Sequence, residues 1–514
     1  MSKPQDPQPA EPRSGLKAES LAKGISLLLV LMVFQRVVGF GRNILFCRWL
    51  SPEELGRWNL SFSMLVLAAP LVVIGLPGSF GRYAEHYRAK GQLKAFLRRI
   101  TSLTVLLAML GLFIICYARR TASWLFFGDE SQTQLLVITV LCLVSVISFN
   151  FLTELFTSLR QLRTVSMMQF SNGLLFAVFG LGLIHFWDSS AYAIVVGYGL
   201  ACLASCLLAM IPLVRAWRTL DDELEAPAQS QMWAKLLPFA AWIWFSDLLS
   251  NLFGAADRYM IVHFSHADPQ QATEVVGQYH SSLVVPTLLI AIASMVASVV
   301  LPYVASDWEA GNKERVAYRL NLAIKSYGLM SIAAGIVVLT CSSLIFGWAL
   351  GGKYQDGLAV LPWTLVFCTW GGMSVIARSY LLCIEKAGVA TLGPLLGLVV
   401  NVGLNFLLLP RYGLHGAVWA TTAGNVVTLA IAVKYCSKHG FKLELGTILV
   451  CLLPVCLLLG TPGAVGCIVG ILFMSINREW LINANEKAEV IERANDTLNK
   501  ILNPILRKMG KATV

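Results

Sequence analysis

Residues 133–153 read TQLLVITVLCLVSVISFNFLT, a run without one charged side chain. As a helix rising about 1.5 Å per residue it is about 30 Å long, the thickness of a bilayer's hydrocarbon core. A helix also satisfies its own backbone polar groups there, so the run predicts a transmembrane helix. Working outward, comparable runs lie near residues 24–48, 59–80, 100–117, 167–187, 191–214, 236–262, 281–305, 322–350, 357–384, 389–409, 414–436, 444–459 and 462–476. The pattern predicts an all-α integral membrane protein with about fourteen transmembrane helices.

Charge orients the ladder. When the connections are assigned alternately to two sides, most of the 40 Lys and Arg residues, and both chain ends, fall on one side. Cytoplasmic loops carry the positive excess, so both termini are expected in the cytoplasm. Composition agrees: 56% of residues are hydrophobic, 13% are charged and the mean hydropathy is +0.67, whereas soluble domains are nearer a quarter charged. The net charge of +11 is dispersed over loops facing an anionic leaflet, which argues against a nucleic-acid partner. The twelve cysteines lie mostly inside apolar runs and form no C-x-x-C, so they read as packing residues, with neither a metal site nor a cofactor expected.

Residues 1–20, with Pro4, Pro7, Pro9 and Pro12, cannot bury a core and are expected to be disordered. The divisions that follow are 21–220 for the first six spans, 221–235 for a cytoplasmic linker, 236–436 for the next six, 437–476 for two further helices and 477–514 for a tail. In that tail Val490, Ile491, Leu498, Ile501, Leu502 and Ile505 fall at helical spacing, as in a helix lying on the inner membrane surface. The first and seventh spans also look like copies. Each follows a lysine (Lys23, Lys235), carries an ionisable residue at mid-depth (Arg36, Asp247) and another near its outer end (Arg42, Arg258). Ala89-Lys90-Gly91-Gln92 and Glu309-Ala310-Gly311-Asn312 echo each other two spans later, implying a repeat about an axis along the membrane normal.

A charge at mid-helix costs about 2.5–3.5 kcal/mol on insertion scales, so intramembrane charges are expected to face a protein interior or a wet cavity. Arg36, Arg42, Arg258, Lys325 and Arg378 are the candidate cations, and Asp247, Asp257 and Glu154 the candidates for ion coupling or ion pairing. Arg36 and Asp247 lie at similar depth and are expected to face each other across the midplane. Guanidinium groups suit an anionic passenger, because they grip phosphate through paired hydrogen bonds. For the end-located Arg42, Arg258 and Lys325 the alternative is snorkelling to headgroups, and for Asp257 a structural pair.

Other patterns carry less. Gly347-Trp348-Ala349-Leu350-Gly351-Gly352-Lys353 fits G-x-x-x-x-G-K, but Tyr354 replaces the Ser or Thr that a nucleotide loop requires and no strand precedes it. His263, His266 and His280 are expected as solvated residues of the longest outward loop, near 263–280. Gly393 and Gly397 form a G-x-x-x-G contact face, and Pro70, Pro77, Pro212, Pro286, Pro302, Pro362 and Pro394 mark kinks.

Several stretches resemble the Wzx-type polysaccharide flippases of the multidrug/oligosaccharidyl-lipid/polysaccharide (MOP) exporter superfamily. They are Leu50-Ser51-Pro52-Glu53-Glu54-Leu55-Gly56, Gly75-Leu76-Pro77 with Arg82-Tyr83, Asp257-Arg258 before Gly277-Gln278-Tyr279, and Asn401, Asn405 and Pro410-Arg411-Tyr412-Gly413-Leu414-His415-Gly416-Ala417 leading to Ala420-Thr421. The resemblance implies two six-helix lobes around a central cationic cavity, two extra C-terminal helices, and alternating access that carries an undecaprenyl-pyrophosphate-linked glycan outward across a bacterial inner membrane. It also implies contact with membrane lipids and with polysaccharide polymerase and export machinery, and it places Arg36, Arg42, Asp257 and Arg258 on the cavity wall. Two other functions stay open: an ion-coupled drug or cation antiporter of the same fold, which would rely on intramembrane acids, and an integral-membrane polymerase or ligase. The latter would be an enzyme with a large outward loop, and the short outward loops read as a non-enzyme.

Overall fold

The computed structural model describes residues 21–218 and 229–478, and these are almost entirely helical with no strand among them. The segment 1–20, residues 219–228 of the linker region and the tail beyond Arg478 lie outside the described residues.

Helix α1 (Leu21–Trp49) gives way to α2 (Pro52–Val72) at Ser51, whose Oγ accepts from the Glu54 backbone N–H at 3.2 Å. Pro52 follows at a position where a missing N–H costs nothing. The second pass breaks after Val72, where Gly75 takes φ +60° ahead of Pro77, and resumes as α3 (Phe80–Ala89). The first lobe is completed by α4 (Leu93–Tyr117), the short α5 (Arg119–Phe127), α6 (Thr133–Ser158), α7 (Leu162–Phe186) and α8 (Ala191–Arg218).

The second lobe runs through α9 (Gln229–Phe264), α10 (Pro269–Leu283), α11 (Thr287–Glu309), α12 (Lys313–Thr340), a single-turn α13 (Ser342–Leu344), α14 (Gln355–Cys383) and α15 (Ala387–Lys438). Within α15, Gly413 leaves the helix at φ +52°, ψ −130° and the chain folds back. Gly397 of the G-x-x-x-G face then meets Gly424, where a Cβ would lie 2.6 Å from the Gly424 carbonyl oxygen. Helix α16 (Leu445–Leu452), extended by a 3₁₀ stretch to Leu459, is broken by Gly460 from α17 (Gly460–Arg478).

Eleven helices among the described residues are long and apolar enough to cross a membrane. With α1, both halves of α15 and both sides of Gly460 counted, the ladder has its fourteen passes. The repeat is visible in detail. After α3 and after α11 the chain makes the same Schellman turn, with Gln92 N–H donating to Tyr87 O (2.8 Å) and Asn312 N–H to Asp307 O (2.9 Å). Gly91 and Gly311 supply the positive φ that each turn needs. Helix-terminating turns of one face thus share a geometry, and that face, bearing Lys90, Arg218, Lys235 and Lys313, is the basic face; the other is the far face.

One expectation is corrected. Residues 263–280 are not an open loop, because most of them form α10, which joins α11 in a second pass broken at Pro286 in parallel with α2 and α3. Its polar composition hides it, since Thr273, Gln278, Ser281 and Ser282 are buried against other helices rather than lipid.

The last two passes pack on α12, where Gly328 and Gly335 make room for Val450 and Leu457, while Trp370 Nε1 donates to Cys451 O at 2.7 Å. Lys325, only 3% exposed, pairs with Glu444 at the entry to α16. Removing one member of such a pair strands the other, at a cost of about 3 kcal/mol. Lys325→Met is therefore expected to lower the melting temperature of the purified protein by several degrees, and Lys325→Met/Glu444→Gln to recover part of it. A double variant no more stable than the single one would show that the pair does not anchor α16.

Candidate functional site

The two lobes are closed at the far face by helix backbones in contact. Leu50 to Gly56 starts α2 and Gly277 sits on α10, and the two glycines let these helices touch without side chains between them. A Cβ at Gly277 would lie 1.8 Å from the Pro52 carbonyl oxygen, and one at Gly56 would lie 1.9 Å from that of Thr273. Polar contacts flank the crossing. Gln270 Nε2 donates to Glu53 Oε2 at 2.9 Å, Tyr354 OH to Cys47 O at 2.9 Å, and Lys353 Nζ to Arg48 O at 3.0 Å. The lysine of the nucleotide-loop lookalike thus caps the carbonyl end of α1 from the opposite lobe, where a cation suits the helix dipole.

Toward the basic face the lobes behave differently on their two sides. On one side α9 stays against α2 and α3: Gly75 fits under Trp244, Gly78 under Ile243, and Tyr83 OH donates to Lys235 O at 3.0 Å. On the other, no packed seam joins α1 to α11 among the described residues. Among the described residues the lobes are thus joined at the far face and along α9, and unpacked between α1 and α11.

A cavity of about 470 Å³ lies between α2, α6 and α9. Its polar lining includes Asn150, Thr153, Glu154, Gln169, Asp247, Ser250 and Asn251, with no Lys or Arg. Asp247 accordingly shares its space with Glu154, and the expectation that it faces Arg36 is corrected: equal depth does not fix direction around a helix. Arg36 is exposed on the α1 stripe Arg36–Asn43–Cys47, whose upper end meets Tyr354 of the other lobe.

Arg42 stacks its guanidinium 3.9 Å from the Phe176 ring centre and lies beside Tyr198, whose ring lines the cavity, so it backs the wall rather than forming it. Arg258 crosses between lobes, donating from Nη1 to Ser63 Oγ at 2.9 Å. Neighbouring Asp257 is 3% exposed and makes no ion pair among the described residues. Four neutral groups donate to it instead: Asn401 Nδ2 (2.9 Å) and Asn405 Nδ2 (3.0 Å) to Oδ1, and Thr421 Oγ1 (2.6 Å) and Tyr279 OH (2.8 Å) to Oδ2. Arg378 is half-buried, with Nε 3.4 Å from Ser374 O, on the α14 stripe whose Gly371 meets Asn425 and Ile290. Lys325, committed to Glu444, leaves the cationic set. Of the histidines, His280 lies on α10 with a buried Nδ1, and His263, in the last turn of α9, packs its ring tilted against Trp124 with centres 4.8 Å apart, so neither is a solvated loop residue.

The sequence model of the family described as "Polysaccharide biosynthesis protein" matches residues 21–308, which carry α1 to α11. The chain belongs to that family. It is 19% identical over 462 residues to the protein named Lipid II flippase MurJ of Bacillus subtilis (strain 168), covering 82% of this chain and 83% of the relative. Among solved structures, a lipid II flippase MurJ in an inward closed conformation superposes with a TM-score of 0.66 at 12% identity, covering 88% of this chain and 99% of the other. An inward-facing multidrug resistance MATE family transporter of the MOP superfamily gives 0.57 at 14% identity, covering 78% and 94%. At these identities the structures establish the fold alone, a two-lobed all-α membrane fold shared with these transporters.

Within this member of the polysaccharide biosynthesis family, some of the quoted motifs fall at the inter-lobe contacts, Gly56 and Gly277 at the far-face crossing and Gly75 and Tyr83 against α9, while Asp257, Asn401, Asn405 and Thr421 form one cluster inside the second lobe. Asn150, Gln169 and Asn251 were missed, although small amides inside apolar runs were a legible signal. Overpacking a close crossing costs about 1–3 kcal/mol. Gly277→Val is therefore expected to release the far face and raise maleimide labelling of Cys47, which is wholly buried there, by about tenfold. Unchanged Cys47 labelling, read by peptide mass spectrometry, would show that the glycine crossing does not hold the face shut.

Proposed function

We propose that this protein flips an undecaprenyl-pyrophosphate-linked oligosaccharide across a bacterial inner membrane for surface polysaccharide synthesis. The observation that carries this reading is the one-sided packing of the described residues, with the lobes joined at the far face and along α9 and no packed seam between α1 and α11, which we read as a cleft open to the basic face and sideways to the bilayer. A carrier of small solutes needs no lateral opening, whereas a lipid-linked sugar must keep its tail in the bilayer while its headgroup crosses. The positive-inside pattern makes the basic face cytoplasmic, so the cleft stands ready to load from the side where such precursors are built.

In this scheme the headgroup enters between α1 and α11 and its pyrophosphate meets Arg36, with Arg378, which makes no ion pair among the described residues, a further guanidinium on the second lobe. The lobes then close at the basic face, and the α2–α10 crossing opens to release the sugar. Arg258, held by Ser63 while the far face is shut, would be freed toward the exit. For energy coupling Asp257 is the best placed of the three acids. Asn401 and Asn405 turn amide N–H groups and Thr421 a hydroxyl toward its carboxylate, and Asn405 Oδ1 is buried without a hydrogen-bond partner, so a small cation could exchange for these donors if the amides turn their oxygens inward. The carried lipid would be taken from its synthetic enzymes and passed to polymerase and export machinery on the far side.

A second reading has one observation in its favour. The cavity between α2, α6 and α9 carries Glu154 and Asp247 with no basic residue, which suits a cationic passenger of an ion-coupled antiporter. The polymerase alternative loses its main requirement, because the longest outward stretch is the packed helix α10.

A charge-assisted hydrogen bond contributes about 1.5–3 kcal/mol, so Arg36→Ala is expected to cut flipping of lipid-linked oligosaccharide in proteoliposomes at least about tenfold, with Arg36→Lys intermediate. Deletion of the gene should leave that lipid on the cytoplasmic leaflet. Full activity in Arg36→Ala with loss in Asp247→Asn/Glu154→Gln would favour the antiporter instead.

A further inference from the structure

On the outer surface of the first lobe, α4 leans away from the bundle. Its Val105, Leu106, Met109, Leu110, Phe113 and Ile114 are all exposed. Between α4 and the last turns of α8 this leaves a groove of about 680 Å³, floored by Phe151, Leu152 and Leu155 of α6. Its two walls are graded alike. Along one stripe of α4 come Arg98, Thr101, Ser102 and Val105, and along the facing stripe of α8, read in the same direction, come Arg218, Trp217, Val214 and Leu213. Each wall therefore runs from a guanidinium at the basic face, through hydroxyl or indole, to aliphatic carbon at membrane depth. Arg98 and Arg218 are both exposed, and neither has an ion-pair partner among the described residues.

We propose that this groove holds a resident anionic phospholipid of the leaflet at the basic face, its phosphate bridged by Arg98 and Arg218 and an acyl chain laid on Leu152 and Leu155. Two cations on opposite walls at headgroup depth complement a net negative phosphodiester, and Trp217 stands at the level where indole rings favour the interface. The flipped lipid is a poorer occupant, because α6 separates the groove from the inter-lobe space. Leu152 and Leu155 face the groove, while Asn150, Thr153 and Glu154 on the other side of the same helix line the cavity. The bound lipid thus buttresses the helix that carries Glu154.

The test uses the full chain purified in detergent and native mass spectrometry with dioleoyl-phosphatidylglycerol, dioleoyl-phosphatidylcholine and a polyprenyl phosphate. The wild type is expected to retain phosphatidylglycerol over phosphatidylcholine, and Arg98→Gln/Arg218→Gln to reduce that retention about tenfold or more. Val214→Trp, which fills the groove and keeps both cations, should lose it too, whereas Arg119→Gln/Arg120→Gln at the far face should not. Equal retention of the two phospholipids, or a preference unchanged in both groove variants, would overturn the proposal. Loss of polyprenyl phosphate rather than phosphatidylglycerol in those variants would overturn it as well, by giving the groove to the carried lipid.

Discussion

The arrangement of the whole molecule depends on two helices from different lobes touching backbone to backbone at Gly56 and Gly277. A contact of this kind is close, apolar and geometrically demanding, yet it contains no strong bond. Its neighbours are of the same character: hydrogen bonds from Gln270, Lys353 and Tyr354 to oxygens of the opposite lobe, with no ion pair across the seam among the described residues. Many small dispersion terms that are all lost together make an interface that is firm when shut and separable as a unit. A fully buried ion pair there would resist opening, because each half would have to be resolvated separately.

Strong polar bonding is instead placed inside the lobes. Asp257 joins α9 to α10 and to both halves of α15 through four donors, and Lys325 with Glu444 ties α12 to α16. Each lobe is thereby a stiff body, and motion is left to the surfaces between them. The unequal sides of the cleft follow from the same division. The α2–α3 break, with Gly75 and Pro77, shapes one lobe to follow α9 down to the basic face, whereas no packed seam joins α1 to α11 among the described residues. An opening toward lipid on one side only is what a two-part amphiphile requires.

Much of this was legible in the sequence. Apolar run length predicted the passes, and the echo of Ala89–Gln92 in Glu309–Asn312 announced two turns of one geometry. The motif glycines and Asp257, Asn401, Asn405 and Thr421 were singled out, but the convergence of the last four was not, since they come from α9 and the two halves of α15, up to 164 residues apart. Depth arithmetic placed Arg36 and Asp247 level with each other, but a rise per residue says nothing about which way a side chain points. Lys325 looked like a cavity cation because its partner, Glu444, sits beyond the next three passes. Helix α10 escaped the reading because hydropathy reports contact with lipid, and α10 contacts protein.

The most direct test of the account is to lock the far-face crossing and ask whether transport stops. Glu53 and Gln270 are hydrogen-bonded across it, so a Glu53→Cys/Gln270→Cys disulfide would hold the lobes in the observed state. The account predicts that oxidised protein in proteoliposomes binds the lipid-linked oligosaccharide but does not flip it, and that reduction restores flipping. Undiminished flipping with the disulfide intact would contradict it.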